Sequence, residues 1–284
     1  MNARFHDRCE AGRRLAQALS AYAGRGDVLV LALPRGGVPV ACEVARALSA
    51  PLDVLMVHRL SVPHHHGRAL GAIASGGGRV IDEAVAKEFH VPHNAIEHAI
   101  ENGVDDMTRR EHAYRGAMFG PYLHGHTIIV VDDGVTTGAT MRAALQVARR
   151  QKPARIVVAV PVTPAQIREI LRREADEVVS LSNPDPFISI DACYEHFPQV
   201  TDEDARRQLE QFAQTRDQPA VPADAEWRLV ARRGDVMPRE PLLNAMRRYL
   251  EAELYLDGCD TTAERLHDHV QQVPQYFVDV GERI

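Results

Sequence analysis

Lysine is nearly absent: Lys87 and Lys152 are the only two in 284 residues, so the basic side chains are almost all arginines. Cysteine is scarce too, and Cys9, Cys42, Cys193 and Cys259 are scattered without a CxxC pair. That spacing argues against a zinc-finger ligand set and against a disulfide framework. No apolar run is long enough to span a bilayer. The charged start MNARFHDRCEAGRR lacks the apolar core of a signal peptide. No membrane partner is expected, and the cytoplasm is the expected location. Basic charge is not in excess either. Lys plus Arg number 33 against 39 Asp plus Glu, a formal charge of −6, which gives no global case for binding nucleic acid. With 45% hydrophobic and 25% charged residues the composition is that of an ordinary globular chain. Its length suits one good-sized domain plus an appendage, or two domains.

What the chain does have is apolar β-branched runs alternating with helical patterns. Apolar positions at helical spacing (Ala11, Leu15, Leu19, Tyr22) predict a helix over Phe5–Ala23, closed by Gly24–Gly26. Asp27–Leu33 reads as a buried strand, followed by Pro34-Arg35-Gly36-Gly37 and a helix over Val38–Leu48. Leu52–Val57 is a third strand-like run, and it leads into His58-Arg59-Leu60-Ser61 and three consecutive histidines, His64–His66. Neighbours in an extended segment point to different sides, and no acids lie close in sequence. A phosphate-facing or solvated loop is therefore expected there rather than a metal site. Gly67–Gly78 is rich in glycine and small residues, and a long charged helix is expected over Ala95–Tyr114, presenting a solvated face or a subunit contact. Further strands are expected at Thr127–Val131, Arg155–Pro161 and Glu177–Leu181, with helices over Met141–Arg150, Ala165–Glu174 and Thr201–Phe212. Strands alternating with helices imply an α/β fold with a doubly wound parallel sheet.

The chemistry concentrates in Thr127–Arg142, TIIVVDDGVTTGATMR. An apolar strand ends in Asp132 and Asp133, a hydroxyl-rich turn follows, and a helix begins. Backbone N–H groups and the helix dipole converge on one point, which suits a phosphate. The carboxylates beside it suit sugar hydroxyls or hydrated Mg²⁺. A Walker A loop would need Gly-Lys-Ser/Thr, and a dinucleotide fingerprint would need three glycines where only Gly134 and Gly138 occur. Phosphate, ribose and metal at one strand end together suggest phosphoribosyl pyrophosphate (PRPP). In the Pro34–Gly37 loop, glycines allow close backbone approach and Arg35 offers a planar fork for phosphate oxygens. Ligands bind beyond the carboxyl ends of strands in such sheets, so the two loops can converge.

An apolar strand, two acids, two variable residues and Thr-Gly-x-Thr resemble the PRPP motif of type I phosphoribosyltransferases. From Phe5 to roughly Phe212 the chain is similar to a bacterial group of such proteins, on FHDRCEAGRRLAQAL, LALPRGGVPVACEVA, ALGAIASGG, VVDDGVTTGATMRAAL and YEHFPQVTDED. The resemblance implies a Mg²⁺-dependent transferase whose partners are PRPP and a small-molecule acceptor, with a homodimer as the expected assembly. It implies catalytic roles for Asp132, Asp133, Arg35 and Arg59. It places the 5′-phosphate on Thr136, Thr137, Gly138, Ala139 and Thr140, and the pyrophosphate on Arg35, Gly36 and Gly37. Asp132 and Asp133 would hold ribose and metal. Arg59 is the candidate for the mobile loop that closes over PRPP, although His58-Arg59-Leu60-Ser61 departs from the group's Arg-Lys-Leu-Gly, and Gly67 stands where the group has Glu. In the irregular stretch Asn183–Gln199, Tyr194 and Phe197 are candidates for a hood over the acceptor; packing of those rings within the hood is the competing reading. Enzymes for 6-oxopurines carry a third acid where this chain has Thr136, which cannot serve as a carboxylate base. They also use a lysine after the following strand, and none occurs from Ala154 onward. Both absences argue against a 6-oxopurine acceptor.

The expected domains are 1–215 for the transferase, 216–225 as a Pro-containing linker and 226–284 as a small helical region. The last resembles, in layout, the helix-turn-helix of PucR-type regulators, and a non-enzymatic PRPP or nucleotide sensor is the alternative function. Its would-be recognition stretch Val270–Asp279 has no Arg or Lys, and from Arg216 onward nine Arg face 13 Asp plus Glu. That charge favours a packing or dimerisation role over DNA contact.

Overall fold

The computed structural model describes residues 4–63, 65, 69–75, 77–115, 121 and 123–215. The expected linker and helical region, 216–284, lie outside them. Contacts divide the chain into two units, Met1–Arg216 and Asp217–Ile284, and the described elements belong to the first.

Five strands form a parallel sheet. Those are β1 (Val28–Ala32), β2 (Leu52–Val54), β6 (Thr127–Val131), β7 (Arg155–Val162) and β8 (Glu177–Ser182), in the order β2-β1-β6-β7-β8. Every residue of β1 and β6 is buried, as near-continuous Val/Ile/Leu runs require when both faces of a sheet are covered. Alternation sorts them by face. Val28, Val30 and Ala32 join Leu15, Leu19 and the apolar side of α2 (Gly37–Leu48) in one core. Leu29, Leu31, Ile128 and Val130 join Met141, Leu145 and Ala148 of α5 (Ala139–Arg150) in the other. The first face is covered by α1 (Arg8–Ala18), α2 and α7 (Asp202–Thr215), the second by α5 and α6 (Ala165–Leu171).

A second sheet replaces the expected glycine-rich loop. β3 (Val57–Ser61), β4 (Ala69–Ala74) and β5 (Gly78–Ile81) are antiparallel, with β4 central and wholly buried. The predicted strand Leu52–Val57 is thus two strands in two sheets, broken at Leu55-Met56. α3 (Glu83–Glu88) and α4 (His93–Arg115) follow, and α4 packs on β3 and β4. The glycines here serve close packing. A Cβ on Gly71 would lie 2.2 Å from Val80 O, and one on Gly78 would lie 2.5 Å from Ala143 O of α5.

Candidate functional site

The strand order places a switch point beside β1: the chain leaves β1 on one side toward β2 and later returns on the other as β6. Crevices outside such points are where open α/β sheets bind ligands. The two loops flagged by sequence open there side by side. Leu33 N–H donates to Val131 O at 2.9 Å, carrying the ladder one residue past β1. The Pro34–Arg35 peptide is cis. Gly37 N–H then donates to Leu33 O (3.1 Å) and Val38 N–H to Arg35 O (3.2 Å), folding the loop directly into α2. The fit is tight enough to exclude any side chain. A Cβ on Gly36 would sit 2.1 Å from Asp133 Oδ2, and one on Gly37 2.7 Å from Val131 O. The Arg-Gly-Gly loop is therefore moulded onto the acid pair, and its glycines are required by that contact.

The two acids are not equivalent. Asp132 is half-buried, and its Oδ1 accepts the Asp133 N–H at 2.8 Å. Asp133 is 8% exposed, and its Oδ2 accepts from Arg8 Nε at 2.8 Å. Arg8 is itself buried; its Nη1 donates to Pro198 O (2.7 Å) and its guanidinium lies 3.6 Å over the Phe197 ring. Tyr194 Oη donates to the Asp133 carbonyl at 2.6 Å. Loss of solvent, then the neighbouring Asp133 charge, pushes the Asp132 carboxyl well above the usual carboxylate range. Burial also raises Asp133, against the opposing pull of the Arg8 guanidinium. A pair of crowded carboxylates with oxygen donors only, and one arginine to balance them, fits a hard divalent cation such as Mg²⁺.

Beyond the acids, Val135 N–H bonds Val162 O (2.9 Å), fixing the turn to the end of β7. Thr136 and Thr137 are exposed, Thr140 is half-exposed, and Gly138 is buried at φ 81° as the residue before α5. That positive φ is left-handed backbone, which glycine adopts without strain. The N-cap is a glycine with no side chain to offer, and the Ala139 N–H makes only a long bond of 3.5 Å to Thr137 Oγ1, so the first turn of α5 is suited to receive an anion. Thr136, Thr137, Gly138, Ala139 and Thr140 are contiguous around that helix start.

Arg35 borders the same crevice, one-third exposed, with Nη1 3.9 Å from Asp202 Oδ2. Asp202 also accepts from Tyr114 Oη at 2.9 Å and lies 3.9 Å from Arg110 Nε. Arg59 is placed differently from expectation. It lies within β3, paired with Ala72, rather than in a loop. His65 sets its ring edge-on to Phe89 at 4.9 Å. Tyr194 is a correction. At 2% exposure, with its ring against Phe5 and Phe197 and its hydroxyl spent on Asp133, it has no face left for an acceptor. Phe197 is half-buried and carries Arg8 on one face. These rings pack the floor beneath the acids. Nothing in the sequence marks Arg8 as a site residue on its own. The readable signal was the capping pattern Asp7-x-x-Glu10, which fixes the start of α1 and so the place of Arg8.

A family model described as "Phosphoribosyl transferase domain" matches residues 72–196. The crystal structure of TT1426 from Thermus thermophilus is 40% identical, with a TM-score of 0.61 over 74% of this chain and 99% of that one. Two curated Mycobacterium tuberculosis proteins, from two strains and provisionally named phosphoribosyl transferases, are 42% identical over 200 residues. The chain belongs to the phosphoribosyltransferase family. The match covers 70% of this chain and 45% of those relatives, so the chain spans less than half their length. Within the phosphoribosyltransferase domain, the stretch matched by the family model takes in Asp132, Asp133 and the turn to Thr140. The Arg35–Gly37 loop precedes it and joins the site through the β1–β6 pairing.

Proposed function

We propose that this chain is a Mg²⁺-dependent phosphoribosyltransferase that takes the phosphoribosyl group from PRPP to a nitrogenous acceptor other than a 6-oxopurine. The observation that carries the reading is the seating of Gly36 and Gly37 on Asp133 and Asp132 beside a helix start whose N-cap is Gly138. In this reading the 5′-phosphate sits on the N–H groups and hydroxyls of Thr136–Thr140. Asp132 and Asp133 take the ribose hydroxyls, with Asp133 kept in place by Arg8 and Tyr194. Arg35 and the Gly36 backbone, at the start of α2, receive the pyrophosphate, and Gly37 keeps that approach open by having no side chain. The acid pair would hold Mg²⁺, which when bound neutralises pyrophosphate charge.

Breaking the anomeric C–O bond leaves positive charge on the ribose and negative charge on the departing pyrophosphate. Asp132 faces the first and Arg35, once released from Asp202, the second, so both charges meet partners as they develop. The crevice holds donor and acceptor nitrogen in line. Arg35 must leave Asp202 to bind pyrophosphate, and at 3.9 Å that contact is loose enough to yield. Thr136 at the position of the third acid supports an acceptor that needs no carboxylate to move its proton.

Calorimetry with PRPP, plus and minus Mg²⁺, tests the reading in the wild type, Asp132→Asn and Gly36→Ala, followed by a panel of bases. Mg²⁺-dependent PRPP binding is expected in the wild type and loss of about tenfold or more in both variants. Equal PRPP affinity in all three proteins would remove the acid pair and its glycine loop from the site.

A further inference from the structure

A second cluster of donor side chains lies outside the crevice. The N-terminal segment and the segment after Cys193 run alongside each other. Phe5 N–H donates to Cys193 O (2.9 Å), Glu195 N–H to Phe5 O (2.8 Å) and His196 N–H to His6 O (2.8 Å). Phe5 is fully buried and Tyr194 nearly so, and both belong to one apolar cluster, so the backbone under this pairing is anchored from below. On its outer side stand His6, Glu195 and His196. His6 Nδ1 lies 3.1 Å from Glu195 Oε2, and the two imidazole rings are 4.7 Å apart between centroids. One ligand atom from each of the three lies within 4.8 Å of the others.

We propose that His6, Glu195 and His196 form a binding site for a first-row transition-metal dication of the zinc class, distinct from the Mg²⁺ acid pair. Two imidazoles and one carboxylate are a donor set for Zn²⁺ or Co²⁺, whereas Mg²⁺ prefers oxygen alone. Metal–ligand bonds of about 2.0–2.2 Å in a tetrahedron separate neighbouring donors by roughly 3.3 Å. The His6–Glu195 pair already meets that spacing, and His196 closes on it by rotating an exposed ring. The anchored backbone beneath the donors lowers the ordering cost of binding. Three protein ligands leave one position for water.

The site's location gives it a structural consequence. Arg8 follows His6 by two residues, Tyr194 immediately precedes Glu195, and both grip Asp133. A metal joining the two segments would fasten them together where the acid pair is held.

The full chain is titrated with Zn²⁺ and with Co²⁺ in excess Mg²⁺, added to compete at the acid pair. The wild type is compared with His6→Gln/His196→Gln and with Glu195→Gln, all exposed positions whose change leaves the core alone. The wild type should take up one more equivalent of Zn²⁺ than the double variant. Its Co²⁺ form should show the visible absorption of a four-coordinate nitrogen and oxygen site, absent from the double variant and weakened in Glu195→Gln. Its melting temperature should rise with Zn²⁺ while that of the double variant stays put. Equal uptake and equal spectra in wild type and double variant would put the metal elsewhere, for instance on the His64–His66 run, and overturn the proposal. So would the absence of any uptake by the wild type. These readouts are independent of PRPP turnover.

Discussion

Arg8 and Asp133 form a buried ion pair, with side chains 9% and 11% exposed. Removing one member of such a pair leaves the other charged and unpaired away from water, which costs about 3–5 kcal/mol, while removing both is far milder. Arg8→Met should therefore destabilise the protein by about 3 kcal/mol or more in urea unfolding, and Arg8→Met/Asp133→Asn should recover most of that loss. If the double variant is no more stable than the single, the pair is not the reason for the loss. The residue scale is also where the sequence is least legible. Asp132, Asp133, Arg35 and the glycines announce themselves by local pattern. Arg8 acquires its role from a partner 125 positions away. Asp202 meets Arg35 only because α7 returns to pack on α2. Tyr194 departs from expectation for the same reason: an aromatic in an irregular stretch gives no sign of which side of the sheet end it faces.

At the scale of elements, helices and parallel strands are legible because their apolar period runs unbroken. Thr127–Val131 matches its expected bounds to the residue, and the helix starting at Asp202 is marked by Thr201, whose hydroxyl accepts the Asp204 N–H. The antiparallel sheet is not legible. Its central strand, Ala69–Ala74, is apolar throughout, mostly Ala and Gly, and buried on both faces, so alternation is silent and the glycines look like signs of a loop. Their true role is close approach. Gly78→Ala places a methyl 2.5 Å from Ala143 O and 2.6 Å from Val147 Cγ2, both on α5. Backbone cannot swing aside as a long side chain can, so overpacking of about 1–3 kcal/mol is expected. Thermal unfolding of Gly78→Ala beside Gly26→Ala, where nothing lies within 4 Å, measures it. Equal melting temperatures in the two variants would return this segment to the status of a loose loop.

For the molecule as a whole, the topology explains why so few residues are enough to locate a candidate site. A switch point beside β1 forces the loops after β1 and β6 into one crevice, whatever the rest of the sequence does. Both faces of the sheet are covered by helices from residues 8–215, and the atoms of the crevice come from residues 8 to 202. A folding unit is defined by its own core rather than by the length of chain around it. The protein ended after Arg216 should therefore unfold in one cooperative step and bind PRPP with the affinity of the full chain. Circular dichroism melting and PRPP calorimetry on the two lengths make the comparison. A shortened protein that melts without a cooperative transition would show that the sheet depends on residues 217–284. A cooperative melt with weakened PRPP binding would instead give that segment a part in the site, and with it a physical basis for regulation through the C-terminal region.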